Sequence, residues 1–176
     1  MQWIAELLFY PTLYWNIALN KLIPRQRRWW DWIDDDVLLG ALPLAMHVSD
    51  LQKLGIRAVI NTCREYCGPL DAYQRAGIEQ LHLPTTDFTP PAFEDVARGV
   101  EFIRKNIGSG RKVYVHCKAG RARSATIVIC YLIAKGVAPE QAQKLLLEKR
   151  PHVHPALLER QVVKEFIQRQ TMNDER

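Results

Sequence analysis

The chain has 176 residues, of which 48% are apolar and 24% charged. That is the make-up of a single globular domain with at most a short appendage, and it excludes collagenous, low-complexity and disordered classes. Four cysteines with no dense spacing and no secretion signal exclude a disulfide scaffold and lead us to expect reduced thiols. The net charge of +5 is uneven: the first 90 residues hold 8 basic and 10 acidic side chains, the remainder 16 and 9. The basic half therefore favours an anionic ligand or surface.

Residues Trp3 to Asn20 carry Glu6 as their one charge and have Pro11 in the middle; Lys21, Arg25, Arg27 and Arg28 follow, then Trp29, Trp30 and Trp32. The run is short for a spanning helix and lacks the basic start and cleavage site of a signal peptide. Aromatic residues beside a basic cluster suit a bilayer interface, so we expect residues 1–33 to associate with a membrane and residues 34–176 to form the folded domain. Within that domain a strand begins at Val37 and breaks at Gly40. A helix from Asp50 closes at Gly55 and a strand follows over Ala58 to Asn61. A helix over Leu70 to Ala76 closes at Gly77, and the alternating "IEQLHLP" forms a strand ending at Pro84. Thr85 to Pro91 is a loop by its Thr/Pro content, and Phe93 to Asn106 a helix closed by Gly108. "KVYVHC" is a buried strand, and Ser124 to Lys135 a helix. Another helix opens at Pro139 and stops before Pro151, and a last one covers Ala156 to Gln170. Strands alternating with helices predict an α/β sandwich with a mostly parallel central sheet flanked by helices.

The chemistry concentrates in "VHCKAGRARS", Val115 to Ser124. In such a fold ligands bind beyond the carboxyl ends of the strands, and this strand delivers Cys117 there. The following helix aims unpaired N–H groups and its dipole at the same point, which favours an anion. The same field, with Lys118, Arg121 and Arg123 nearby, lowers the pKa of Cys117 from the free-thiol value of about 8.5 and yields a thiolate. Gly120 permits a tight turn, and the backbone of Lys118, Ala119, Gly120, Arg121 and Ala122 wraps the bound group. Arg123 can fold back to clamp two phosphate oxygens. Ser124 can cap the helix and donate to the sulfur, and His116 can orient the loop and support the thiolate. This arrangement predicts attack by Cys117 on phosphorus, giving a phosphocysteine that water hydrolyses. No cofactor or metal is expected, because the loop amides and Arg123 can neutralise the phosphoryl charge.

"HCKAGRARS" resembles the signature loop of the cysteine-dependent dual-specificity phosphatases. The resemblance implies a separate Asp on a mobile loop to protonate the leaving alkoxide, and Asp87 in "PTTDFTPP", 30 positions before Cys117, matches it. Further stretches, "FYPTLYWN", "VLLGALPL", "REY" and "HCKAGRARSAT", are similar to the mitochondrial-type subgroup that dephosphorylates phosphatidylglycerophosphate in cardiolipin synthesis. That resemblance implies an anionic phospholipid substrate and a membrane surface, with no nucleic-acid partner. The place implied is the matrix side of the inner membrane in a eukaryote, or the cytoplasmic membrane in a bacterium. It also implies a loop around Glu65 and Tyr66 that closes over the site, with Arg64 standing where the subgroup usually has Glu. Lys118 and Arg121 are expected at the loop rim, facing a polyanionic headgroup. Phosphoprotein and phosphoinositide substrates, or a non-catalytic phosphate-binding module, are the alternatives. Cys63, Cys67 and Cys130 are expected as structural thiols, and His152 and His154 as packing or helix-entry residues.

Overall fold

The computed structural model describes residues 28–174. The membrane-associating expectation for residues 1–27 therefore lies outside the described residues. Five strands form one sheet in the order β1-β2-β5-β3-β4. They are β1 (Trp30–Trp32), β2 (Val37–Gly40), β3 (Ile56–Cys63), β4 (Glu79–Thr85) and β5 (Lys112–His116). β1 runs antiparallel to β2, and the other pairs are parallel. A 3₁₀ turn (Ala45–His47) leads into α1 (Val48–Lys53). The remaining helices are α2 (Leu70–Ala76), α3 (Phe93–Gly108), α4 (Arg123–Ala134), α5 (Pro139–Lys149) and α6 (Gln161–Asp174).

The two-residue period of the strands sorts their side chains onto two faces. Val113 and Val115 of β5, with Leu39, Ile60 and Leu83, face a large core built with α3, α4, α5 and α6. Tyr114, Leu38, Ile56 and Val59 point the other way and pack with α1, α2, Trp30 and Trp32. Burial on both faces explains why β2, β3 and β5 read as continuous apolar runs instead of alternating. α4 is buried from Arg123 to Leu132, so it is the central helix of its layer.

The α/β expectation holds, with differences at the ends of the elements. Trp30 and Trp32 belong to strand β1, so the sheet starts ahead of the expected division at residue 34. The Trp30 ring stands edge-on to Tyr114 at 6.0 Å, and Trp32 carries Lys112 4.8 Å over its face. These two tryptophans are half-buried and held against the domain. β4 continues through Pro84 to Thr85, which an outer strand allows because its unpaired side needs no N–H there. α6 begins at Gln161, not Ala156. The preceding turn is held by the Leu157 amide on Gln143 Oε1 (3.0 Å) and the Ala156 amide on His154 Nδ1 (3.1 Å).

Candidate active site

Parallel β2, β5, β3 and β4 end at one edge of the sheet. The site is assembled from the loops that leave it. Cys117 follows β5, in the middle of the sheet, and lies buried between Leu42 and Cys63, with Tyr66 packed alongside. Its sulfur accepts hydrogen bonds from the Gly120 amide at 3.2 Å and from Ser124 Oγ at 3.3 Å. Burial works against the thiolate. The Arg123 charge, the Ser124 hydroxyl and the amides of Ser124 and Ala119 outweigh it and bring the thiol down to about 7. Ser124 lies inside the first turn of α4, because the helix starts at Arg123. No side chain caps that terminus, so the expected capping role is replaced by donation to the sulfur.

The loop turns on Gly120, whose φ of +65° favours glycine. A Cβ there would also run into the Gly40 carbonyl, so the turn closes against the end of β2. Its outer side is fastened by a residue that sequence reasoning missed. Arg150, 1% exposed, donates to the carbonyls of Gly120 (Nε, 3.0 Å) and Ala119 (Nη2, 3.0 Å). The same guanidinium meets Asp31 Oδ2 at 2.6 Å and the carbonyl of Arg28 at 3.1 Å. Turning these loop carbonyls outward leaves the amides on the inner side, toward the sulfur. Nothing in the local pattern marks Arg150 or Asp31, which are 119 residues apart.

Arg123 is buried, hydrogen-bonded through Nη1 and ion-paired through Nη2. Nη1 donates to the Thr85 carbonyl (2.7 Å) and to Glu65 Oε2 (3.0 Å), and Nη2 pairs with Asp87 Oδ1 at 3.0 Å. Burial disfavours its charge, but Cys117, Cys63, Asp87 and Glu65 around it push its proton affinity up. Asp87 also pairs with Lys118, and its amide donates to Glu65 Oε1 at 2.9 Å. Asp87 thus rests on Lys118 and on Arg123, whose charge acts on the sulfur. Lys118, expected at the rim, is 6% exposed and lies inside the pocket, because the Asp87 loop folds over it. Arg121 does stand at the surface, and its Nε is taken by the His152 carbonyl at 2.8 Å. The Ala122 carbonyl accepts the Thr126 amide at 2.9 Å, as the first turn of α4 requires.

Glu65 and Tyr66 lie on the loop after β3, Glu65 paired with Arg123 and Tyr66 packed beside Cys63 and Cys117. The Tyr66 hydroxyl donates to the Pro43 carbonyl at 2.7 Å, and burial pushes its pKa up to about 12. Asn61 braces this loop, its amide donating to the Tyr66 carbonyl at 2.7 Å while its oxygen accepts the Cys63 amide at 2.9 Å. Arg64 is exposed and outside the pocket. His116 is wholly buried and stacks on Tyr114 at 5.6 Å. Burial lowers its pKa to about 3, so its ring is neutral and lends the sulfur no charge. Cys63 and Cys130 are buried with thiols pushed up by desolvation, and Cys67 is exposed. Among the described residues no group of three or more His, Cys, Asp or Glu side chains could hold a metal ion. A buried sulfur circled by inward amides, with two cations and a carboxylate opposite, can bind a phosphoryl group and exchange it through sulfur.

The family described as "Dual specificity phosphatase, catalytic domain" matches residues 37–168, and the chain belongs to that family. The chain is 41% identical over 172 residues to human "Phosphatidylglycerophosphatase and protein-tyrosine phosphatase 1", covering 93% of itself and 86% of that protein. It is 40% identical over 173 residues to the Arabidopsis thaliana protein "Phosphatidylglycerophosphate phosphatase PTPMT1", where it spans about half of the relative's length (51%) and 96% of its own. Two solved structures of PTPMT1, one in complex with PI(5)P, superpose with a TM-score of 0.75 over 84% of this chain and 99% of theirs, at 40% and 38% identity.

Proposed function

We propose that this chain removes the terminal phosphate of phosphatidylglycerophosphate at a membrane surface, by way of a phosphocysteine at Cys117. The observation that carries this reading is the likeness to two curated phosphatidylglycerophosphate phosphatases at 40% and 41% identity along nearly the whole chain, with Cys117, Arg123 and Asp87 all standing in one pocket. In the first half-reaction the Cys117 thiolate attacks phosphorus, the S–P bond forms and the P–O bond to the glycerol breaks. Asp87 delivers the proton the leaving alkoxide needs. In the second half-reaction water attacks phosphorus, its proton passes to Asp87, the S–P bond breaks, and inorganic phosphate and the thiolate are restored. Arg123 and the loop amides hold the phosphoryl oxygens throughout. An arriving dianion competes with Asp87 for Arg123, so substrate entry itself releases Asp87 from its resting place toward the leaving oxygen.

The membrane in question is the mitochondrial inner membrane in a eukaryote or the cytoplasmic membrane in a bacterium. Among the described residues no helix is long and apolar enough to cross it, and attachment falls to residues 1–27 and to contacts of the domain. A phosphoprotein substrate is the second reading, because the human relative's name includes protein-tyrosine phosphatase. The test is phosphate release from phosphatidylglycerophosphate in mixed micelles beside a phosphotyrosine peptide and a phosphoinositide, with Cys117→Ser as blank. Preference for the glycerophosphate lipid supports the reading, and preference for the peptide replaces it by the second.

A further inference from the structure

We propose that the catalytic edge of the domain is itself a membrane-contacting face, on which Met46, Leu70 and Phe88 enter the lipid surface around the mouth of the site. Four large apolar side chains stand exposed among the described residues: Met46 (74%), Leu70 (52%), Phe88 (80%) and Met172 (59%). Exposed apolar residues scattered singly need no explanation, but their grouping on one face does. Three of the four follow the carboxyl ends of parallel strands: Met46 in the 3₁₀ turn after β2, Leu70 at the start of α2 after β3 and Phe88 in the loop after β4. Those loops are stitched together over Cys117, through Tyr66 on the Pro43 carbonyl and the Asp87 amide on Glu65. The three side chains therefore ride on one framework around the pocket.

Phe88 carries the argument furthest. It is the one non-glycine residue with positive φ among the described residues (+66°). A bulky residue keeps that conformation only where its surroundings hold it. Here its amide donates to Asp87 Oδ1 at 3.2 Å, and Lys118 Nζ lies 5.6 Å from the ring centroid. The loop thus raises an aromatic ring off the surface directly beside the carboxylate that we assign to proton delivery.

The occupant is an anionic lipid surface, on two grounds. Exposed Arg64 and Arg121 flank this edge, a charge arrangement that anionic headgroups match. The chain that precedes the domain joins it at the same edge: the Ala41 amide, just past β2, bonds the Trp29 carbonyl at 2.9 Å, and Arg28 is 69% exposed on its side chain. The described chain therefore begins, at Arg28, beside the edge where the pocket opens. This proposal gives the lipid reading its surface geometry and rests on it for its purpose. Its test does not involve turnover.

Met46→Trp, Leu70→Trp and Phe88→Trp are made singly in the full chain and bound to phosphatidylcholine/phosphatidylglycerol vesicles with brominated acyl chains, which carry no phosphomonoester. The emission added by each new tryptophan should be quenched relative to plain vesicles, beyond any quenching in the parent. Met46→Gln and Leu70→Gln should weaken vesicle binding by up to about tenfold each while leaving turnover of a water-soluble short-chain phosphate ester unchanged. Bound chain whose added tryptophans stay bright would overturn the proposal, because the edge then faces away from the lipid. Added tryptophans already shielded without vesicles would overturn it too, because residues 1–27 would then cover the rim. Binding to a phosphopeptide without binding to vesicles would remove both this proposal and the lipid reading, whereas quenching without lipid turnover would remove only the latter.

Discussion

At the scale of single residues the site is decided by competition for charge. Cys117 is buried, which disfavours a thiolate, yet Arg123, Ser124 and the loop amides bring it to about 7. The rate of Cys117 alkylation by iodoacetamide should therefore rise with pH through about 7. In Ser124→Ala the midpoint should move up toward the ordinary thiol value, and an unmoved midpoint would remove Ser124 from the stabilisation of the sulfur. Asp87 holds Arg123 and Lys118 in the resting site, so its removal has two opposite effects. Asp87→Ala should slow turnover of poor alkyl leaving groups by about 10²–10⁴-fold while sparing activated aryl phosphates. The same variant should bind vanadate or inorganic phosphate more tightly, because both cations are vacated. Equal slowing of both substrate types would exclude Asp87 as the proton donor.

At the scale of elements, the signature loop is shaped by a residue just beyond the far end of α5. Arg150 ties the Ala119 and Gly120 carbonyls to Asp31 of β1, joining the loop to the outer strand of the sheet. Arg150→Met should destabilise the domain by up to about 3 kcal/mol in urea unfolding, because buried Asp31 then keeps only the exposed Arg28 as counter-ion and the Ala119 and Gly120 carbonyls lose their donor. The variant should also raise the pH midpoint of Cys117 alkylation, since loop carbonyls freed from Arg150 no longer keep the amides turned to the sulfur. A stability loss with an unchanged midpoint would reduce Arg150 to a packing residue. The strand–loop–helix unit around Cys117 was legible from its residues alone, because the loop needs a small turn residue, adjacent cations and a helix terminus, all local in the chain. Arg150, Asp31 and Asn61 were not legible. Their roles depend on partners brought close by the sheet order, and an Arg before a Pro or an Asp among tryptophans carries no local sign of burial.

At the scale of the whole molecule, the sheet places a neutral imidazole and a thiolate in its interior, and both make stability depend on pH. Burial lowers His116 from 6.5 to about 3. Between those values the unfolded chain takes up a proton that the native chain refuses, so stability falls as pH drops below about 6.5. Cys117, lowered from 9.0 to about 7, contributes stability that is complete above the unfolded value and is lost as pH falls through the folded one. The two windows add in the same direction. The His116 part amounts to about 1.4 kcal/mol per pH unit, and urea midpoints at pH 8, 6.5 and 5 would measure it. His116→Asn should flatten the segment below 6.5. An unchanged slope there would assign the acid sensitivity to other groups.

The sequence by itself determined the class of architecture, the position of Cys117 at a strand end and the presence of an anion-binding loop. Apolar runs of strand length, helix punctuation by glycine and proline, and clustered cations are written residue by residue. The tertiary structure alone decided that Trp30 and Trp32 belong to the sheet, that Lys118 lies inside the pocket under Asp87, and that Arg150 holds the loop from behind. Each of these is a contact between segments far apart in the chain. Whether a tryptophan joins a strand, or a lysine faces solvent or carboxylate, is settled by what the sheet brings against it, and no local pattern carries that information.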